Sequence, residues 1–249
     1  MALHTSATWA SFALVDRTTY AAALRRDGAR LAGAAEDLSL PVPTCPSWNV
    51  GDLVWHVGEV HTRWRRIATG EVTPERYVPP ARPGAGDLVG WFGHGVEATA
   101  STLERLDPRQ PAWTWSAQRD AGFIQRRIAH ETAVHCWDVL AAAGRDEPVE
   151  RELAVDGIDE FLTFFLPEPP PDFDADVHLH TTDGDGEWLV TPEDGTWRVS
   201  HEHTKAAVAV RGTASDLLLL LWRRKGTEAV QTFGDAGALE RFLTVATLE

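Results

Sequence analysis

The stretch RRIAHETAVHCWD, from Arg126 to Asp138, decides the fold because it places a glutamate and a histidine one helical turn apart. Apolar residues keep a helical period around it, at Ile124, Ile128, Val139 and Ala142. Glu131 and His135 lie on this stripe and are predicted to point inward. A buried carboxylate is costly unless it is paired, protonated or bound to a metal. Two interpretations follow: both side chains bind one metal ion, or they form a buried Glu–His hydrogen bond without metal.

Length and composition restrict the class of protein. A chain of 249 residues is long enough for one large domain or two modest ones. Cys45 and Cys136 form no motif, which favours a reducing compartment. Residues 1–17 show no secretory leader and no long apolar run follows, so we expect a soluble, cytoplasmic protein. A net charge of −14 without a basic block argues against nucleic acid and anionic membrane as partners.

Four amphipathic helices are predicted in the first part of the chain. They cover Val15 to Leu38, Asn49 to Gly70, Leu88 to Leu106, and the helix of the opening stretch, which ends at Gly144. The Pro-rich and Gly-rich segments PVPTCPSW and VPPARPGAG separate the first three. Helices of this length, joined by connections long enough to turn, indicate a four-helix bundle.

The second of these helices carries another inward-facing histidine. Asn49 is its predicted N-cap, and Asp52 completes a capping box. His56 shares an apolar stripe with Trp64, whereas His61 falls off that stripe. His56 is therefore predicted to reach the interior of the bundle, where proteins of this architecture build metal sites.

After Gly144 the pattern changes to short alternating segments and further helices. Helices are predicted at Val149–Leu166, Ser215–Trp222 and Ala236–Thr247, and strands at Val177–Thr181, Glu187–Val190, Trp197–His201 and Ala207–Val210. The turn signals DGDG and EDG predict an antiparallel sheet, with the apolar run LLLLLW buried against it. The fold class is therefore α+β with two domains: a helical bundle at 1–147, and a small antiparallel sheet with helices at 148–249.

The inward-facing residues of the bundle form a candidate metal site. His56 with Glu131 and His135 makes a set of two histidines and one carboxylate. Three protein ligands leave a fourth position open, which is typical of catalytic zinc, although nickel or ferrous iron accept the same ligands. Arg127 and Asp138 lie one turn away on either side. Each is a candidate to support a ligand or to form an ion pair at the end of the bundle.

The other reactive side chains have simpler interpretations. His130 is predicted to be a surface or packing residue, and Cys136 a small buried hydrophobic residue. Cys45 precedes a helix, which can lower a thiol pKa, but we expect it to be a packed loop thiol. Four histidines alternate on predicted strands without a nearby third ligand, so we expect a solvated sheet face at His178, His180, His201 and His203.

Several motifs together resemble one known family. They are PTCPSWNVGDLVWHVGEVH, RRIAHETAVHCWDVLAAAG, DGIDEFL, AVRGTASDLLLLLWRRKG and a final FGD. In this order they resemble the mycothiol-dependent maleylpyruvate isomerase family over nearly the whole chain. The resemblance implies a DinB-like N-terminal bundle with a divalent metal, usually zinc. The implied ligands are His56, Glu131 and His135, the same three that the inward-facing periodicity selects.

The resemblance also implies a cofactor and a reaction. A low-molecular-weight thiol, mycothiol in actinobacteria, would bind between the domains with its sulfur on the metal as thiolate. The thiolate would add to the double bond of a cis-enone acid, and the resulting single bond would rotate. Expulsion of the thiol would then restore the double bond in the trans product. An arginine of the C-terminal domain would face that site, and Arg224 is the best match. Arg223 stands where the family commonly has glycine, and a solvated helix end explains both arginines equally.

Four functions remain open from the sequence. The first is a metal- and mycothiol-dependent enzyme for cis-trans isomerisation of a maleylpyruvate-like substrate. The second is a mycothiol S-transferase that acts on another electrophile. The third is a non-catalytic metal or small-molecule binding protein, and the fourth a metal-independent polar network. An open coordination position favours an enzyme whose partners are a small thiol and a small electrophile.

Overall fold

The computed structural model describes residues 16–245. The expected start of the first helix at Val15 and end of the last helix at Thr247 lie outside the described residues. The helices are α1 (Arg17–Ala34), α2 (Val50–Ala68), α3 (Ala85–Arg105), α4 (Ala121–Ala142), α5 (Arg151–Phe164), α6 (Ala214–Leu221) and α7 (Ala236–Val245). The strands are β1 (Val177–Thr181), β2 (Glu187–Glu193), β3 (Thr196–Ser200), β4 (Val208–Gly212) and β5 (Gln231–Gly234). The predicted α+β fold class is confirmed.

Helices α1 to α4 form the predicted four-helix bundle. The capping box at the start of α2 is present, because Asn49 and Asp52 each accept a hydrogen bond from the other's backbone N–H. Gly70 and Gly144 follow the ends of α2 and α4 with φ of 72° and 75°. This left-handed conformation favours glycine and lets the chain leave the helix, as expected for both positions.

Helix α4 is the central element of the molecule. Ile128 and Leu140 belong to the apolar core of the bundle. Ala129, Val134 and Trp137, on other sides of the same helix, belong to the apolar core that contains the sheet. Because α4 is covered on nearly all sides, its apolar stripe marks only the part of its surface that faces the bundle.

The buried face of α2 differs from the predicted one. His61 is completely buried, its Nε2 lies 2.8 Å from Thr132 Oγ1, and its ring stacks on Phe92. The expectation that His61 falls off the buried stripe is therefore wrong. The reason is that α3 and α4 cover this side of the helix. Burial lowers the pKa of His61 to about 3, so the side chain is neutral at physiological pH.

The C-terminal part contains a mixed sheet with strand order β3-β2-β1-β4-β5. The expected antiparallel pairing holds for β1–β2, β2–β3 and β4–β5, but β1 and β4 are parallel. The EDG turn joins β2 to β3 with positive φ at Asp194 and Gly195, as a tight hairpin requires. Leu217 to Leu221 are buried as predicted, within the apolar core of the sheet.

The segment between α4 and α5 connects the two parts of the chain. Helix α4 ends at Ala142 and α5 begins at Arg151, and separate apolar cores lie on either side. We retain the division into domains 1–147 and 148–249 as a proposal. Within residues 16–245, no helix is both long and apolar enough to cross a membrane.

Candidate metal centre

The structure brings His56, Glu131 and His135 together. His56 Nε2 on α2 and His135 Nε2 on α4 each lie 3.3 Å from the same oxygen, Glu131 Oε1. One ligand atom from each residue lies within 4.8 Å of the other two. The imidazole rings meet edge to face, with their centroids 5.3 Å apart. This is a compact set of two nitrogens and one oxygen, the ligand types that zinc and related ions bind.

The charges of the set are strongly coupled. Burial alone would raise the pKa of Glu131, but His135, His56 and Arg127 hold it well below its ordinary value. Burial alone would lower the pKa of His135, but the carboxylates of Glu131 and Asp138 raise it to about 9. The two carboxylates therefore stabilise a positive charge at His135. A divalent cation can supply that charge in place of the proton on the imidazole.

Asp138 orients His135. Its Oδ2 lies 2.8 Å from His135 Nδ1, and its side chain is fully buried. Thr44 donates to Asp138 Oδ1 at 2.6 Å, and the guanidinium of Arg224 donates to both carboxylate oxygens at 3.2 to 3.4 Å. An Nδ1–H bond to a carboxylate leaves Nε2 available as a metal ligand, the usual arrangement around metal-binding histidines. Arg224 therefore reaches His135 only through Asp138, which lies between them.

Arg127 supports the glutamate in the same way. Its Nη2 donates to Glu131 Oε2 at 2.9 Å, and its Nη1 donates to the buried Glu160 on α5. Its guanidinium also lies over the rings of Phe165 and Trp222, 5.1 and 5.2 Å from their centroids. Oε2 is occupied by this bond, which leaves Oε1 directed at the two histidines.

From the sequence, Arg127 and Asp138 were open between supporting a ligand and forming an ion pair. Each contacts one of the proposed ligands and also forms an ion pair. Periodicity placed both near the stripe but contained no sign of Glu160, which lies on a different helix. Arg223 has φ of 55°, a conformation that favours glycine. This explains why glycine is common at that position in the family the motifs resemble.

The other reactive side chains near the cluster are packing residues. His130 is a buried packing residue, with Nε2 2.7 Å from Asp156 Oδ2. Cys136 is buried, and burial raises the pKa of its thiol to about 12. Burial also raises the pKa of Cys45, which agrees with a packed loop thiol rather than an activated one.

A cavity of about 650 Å³ opens beside the cluster, between the bundle and the C-terminal part. Glu131 and Arg127 form part of its wall, together with Arg63. Much of the remaining wall is aromatic: Trp64, Trp113, Trp115, Phe164, Phe165 and Trp222. Four of the eleven tryptophans thus line one cavity, and no local pattern in the sequence indicates this.

The arrangement of Asp138 allows a direct test. We expect Asp138→Asn to weaken binding of the metal about 10-fold to 100-fold, because the amide removes the charge that orients His135. Arg224→Ala is expected to produce a smaller loss, and the double variant to bind no more weakly than Asp138→Asn alone. Competition with a chromophoric chelator measures each affinity. Losses that add in the double variant would show that Arg224 acts independently of Asp138.

The fold and the cluster define a class: a helical bundle with a candidate metal centre at the face that meets an α+β unit. Two family models match the chain. The mycothiol maleylpyruvate isomerase N-terminal domain matches residues 20–140, and the MDMPI C-terminal domain matches residues 152–241. The chain belongs to the mycothiol-dependent maleylpyruvate isomerase family, a family of enzymes.

Solved structures agree with this assignment. The crystal structure of the mycothiol-dependent maleylpyruvate isomerase matches with a TM-score of 0.61 and 14% identity, covering 87% of this chain and 91% of that chain. A variant of that isomerase with one histidine replaced by alanine gives the same values. At this identity the likeness shows the shared fold. No curated protein matches the chain.

Proposed function

We propose that the chain is a mycothiol-dependent enzyme that isomerises a maleylpyruvate-like cis-enone acid at a metal centre formed by His56, Glu131 and His135. The observation that supports this most is the convergence of two imidazole nitrogens on one carboxylate oxygen, 3.3 Å from each, beside the cavity. Family membership supplies the thiol and the reaction class. A reducing cytoplasm suits such a thiol and the two free cysteines, Cys45 and Cys136.

The residues present fit a zinc ion. Two neutral imidazoles and a carboxylate leave one position for an exogenous ligand, and the same donors accept nickel or ferrous iron. When bound, the ion would keep the thiol sulfur as thiolate at neutral pH, which provides the nucleophile. Arg127 and Arg224 bind the carboxylates of Glu131 and Asp138 as cations.

The chain's own side chains would hold this geometry. Asp138 fixes the ring of His135 through Nδ1, and Arg224 holds Asp138. Arg127 holds Glu131 through Oε2. We propose Arg224 as a positioning residue for the reaction, because its contact to the cluster runs through Asp138. Mutation of such supporting residues typically lowers metal affinity or activity by about 10-fold to 100-fold.

The cavity fits an acidic, partly apolar substrate. Its aromatic wall excludes water from an uncharged segment of a substrate, as binding pockets usually do. Arg63 contributes a cation, and its Nε is buried without a hydrogen-bond partner within the described residues. A substrate carboxylate in the cavity would be attracted by the positive charge of the Arg63 guanidinium.

The aromatic character of the cavity also favours a second candidate. Six aromatic side chains in its wall suit an apolar electrophile beside the thiol. A mycothiol S-transferase would use the same cluster and end with the thiol retained in the product. A non-catalytic binding protein would keep the cavity without turnover.

The experiment uses the zinc-loaded full chain with maleylpyruvate, with and without mycothiol, followed by chromatography of the cis and trans acids. A parallel reaction supplies mycothiol and an aromatic epoxide, followed by mass spectrometry of the thioether. The chelator-treated protein is the matched control. We expect isomerisation that requires both metal and thiol.

Each outcome separates the candidates. Thioether formation without isomerisation would replace the isomerase with the S-transferase. Isomerisation that continues after chelation would remove the metal from the proposed mechanism. Tight binding of mycothiol with turnover of neither compound would favour the binding protein.

A further inference from the structure

A second group of histidines surrounds a carboxylate on the sheet of the C-terminal part. His178 and His180 lie on the same face of β1, and Glu187 on β2 is the direct cross-strand partner of His180. His203 follows β3 in the chain, and its ring lies edge to face against that of His178, 5.7 Å away. The segment after β3 therefore folds back over this face.

The three histidine side chains converge on one atom, Glu187 Oε1. His180 Nδ1 lies 2.8 Å from it, His178 Nε2 lies 3.6 Å from it, and His203 Nδ1 contacts it directly. One ligand atom each of His178, Glu187 and His203 lies within 4.8 Å of the other two. The sequence predicts a solvated face here, because no third ligand lies near these histidines along the chain. That expectation is wrong, since the hairpin between β1 and β2 supplies Glu187.

An independent observation concerns His178. The residue is 5% exposed, and its Nε2 is buried without a hydrogen-bond partner. At 3.6 Å, Glu187 Oε1 is too distant for a hydrogen bond. An unpaired buried polar atom carries a desolvation cost of about 1–3 kcal/mol, and it usually marks a place where a water or an ion binds. Here the atom lies next to three further side chains that can bind a metal ion: His180, Glu187 and His203.

We propose that His178, Glu187 and His203 bind a divalent transition-metal ion, with His180 holding the carboxylate of Glu187 through Nδ1. Two imidazoles and a carboxylate select zinc, nickel or copper over calcium and magnesium, which prefer oxygen ligands alone. His203 is exposed and His178 is buried, so the ion enters from the solvent side. Arg211, opposite His180 on β4, is exposed, and water screens its charge from the site.

The ion would join the segment after β3 to strands β1 and β2. That segment contacts β2 here through His203 with the Glu187 side chain and through the bond of His201 to the backbone oxygen of Glu187. An ion that binds only the folded sheet stabilises it by mass action. This site is separate from the cluster on α2 and α4, and its existence does not depend on the proposed function.

The test counts zinc ions bound to the full chain by equilibrium dialysis and elemental analysis. Wild type is expected to bind two ions per chain, His203→Ala one, and the double variant His56→Ala with His203→Ala none. His94→Ala, which changes an exposed histidine on α3, is the matched control and should bind two. His203 is exposed, so its removal leaves the fold intact; Glu187→Gln provides a second variant with the same expected loss.

Zinc-soaked crystals locate the ion directly. An anomalous peak about 2.0–2.2 Å from His178 Nε2, Glu187 and His203 Nδ1 would support the site. The proposal is overturned if His203→Ala and Glu187→Gln bind as many ions as wild type, or if no peak lies at Glu187. Loss of zinc from His56→Ala alone reports on the other cluster, so the two proposals fail separately.

Discussion

Replacing His56 with alanine is expected to weaken metal binding at the bundle by more than about 100-fold while the fold survives. The change removes one of three ligands, whereas loss of a supporting residue alone typically costs 10-fold to 100-fold. The side chain of His56 is 32% exposed, so its truncation leaves little buried cavity. Circular dichroism checks the fold, and chelator competition measures the affinity. The His203→Ala background restricts the count to the bundle.

The matched control for this variant is His61→Gln on the same helix. His61 is buried against Thr132 and Phe92 rather than in the cluster, so this change should lower stability and spare the ion. If His56→Ala retains one tightly bound ion in the His203→Ala background, the ligand set at the bundle is wrong. If His61→Gln loses the ion and His56→Ala keeps it, the ligand on α2 is His61.

Asp156→Asn is expected to lower the free energy of unfolding by about 3–5 kcal/mol. Asp156 on α5 accepts hydrogen bonds from Tyr20, Arg126 and His130 at 2.7 to 3.0 Å, which ties α5 to α1 and α4. The change leaves a largely buried guanidinium without its carboxylate, and breaking a buried pair in this way typically has that effect. Urea denaturation followed by tryptophan fluorescence measures it. Glu152→Gln, an exposed change on α5, should lose less than about 1 kcal/mol.

The same carboxylate determines part of the acid sensitivity. Burial alone would raise the pKa of Asp156, but His130, Arg126 and Tyr20 lower it from 3.8 to about 2. A lowered pKa in the folded state contributes stability above about pH 4, and this contribution is lost as the pH falls through about 2. The difference corresponds to roughly 2–3 kcal/mol. The stability gap between wild type and Asp156→Asn should therefore narrow between pH 4 and pH 2; a constant gap would contradict the role of this charge.

The bundle was predictable because its determinants are local. The caps at Asn49 and Gly144 and the periodicity of α4 act within one helix. Periodicity does not reveal which neighbour covers each side, and this is why His61 was assigned to the wrong face. In α4, contacts on almost every side make a stripe a poor guide to burial.

The sheet was predictable in its elements but less so in its pairing. The hairpin turns identify antiparallel neighbours, but the parallel pair β1–β4 depends on a crossover that carries no turn signal. Strand β5 at Gln231–Gly234 was missed because it is short and largely exposed at the sheet edge, where no alternation develops.

The candidate site shows the same division. Glu131 and His135 could be paired from their spacing alone, and His56 from its stripe. The contacts of Asp138 with Arg224 and of Arg127 with Glu160 join residues 86 and 33 positions apart. The sequence pattern of a single helix cannot predict such pairs, because the two partners lie on different elements. The convergence of His178 and His203 on Glu187 was missed for the same reason.

The most direct test of the central claim is calorimetric titration of mycothiol into the zinc-loaded protein and into the chelator-treated protein, after elemental analysis of both. The account predicts that mycothiol binds the zinc-loaded form at one thiol per chain and does not bind the metal-free form measurably. Zinc restored to the treated protein should restore binding. Equal binding to both forms would contradict the account, because the sulfur would then not depend on the cluster of His56, Glu131 and His135.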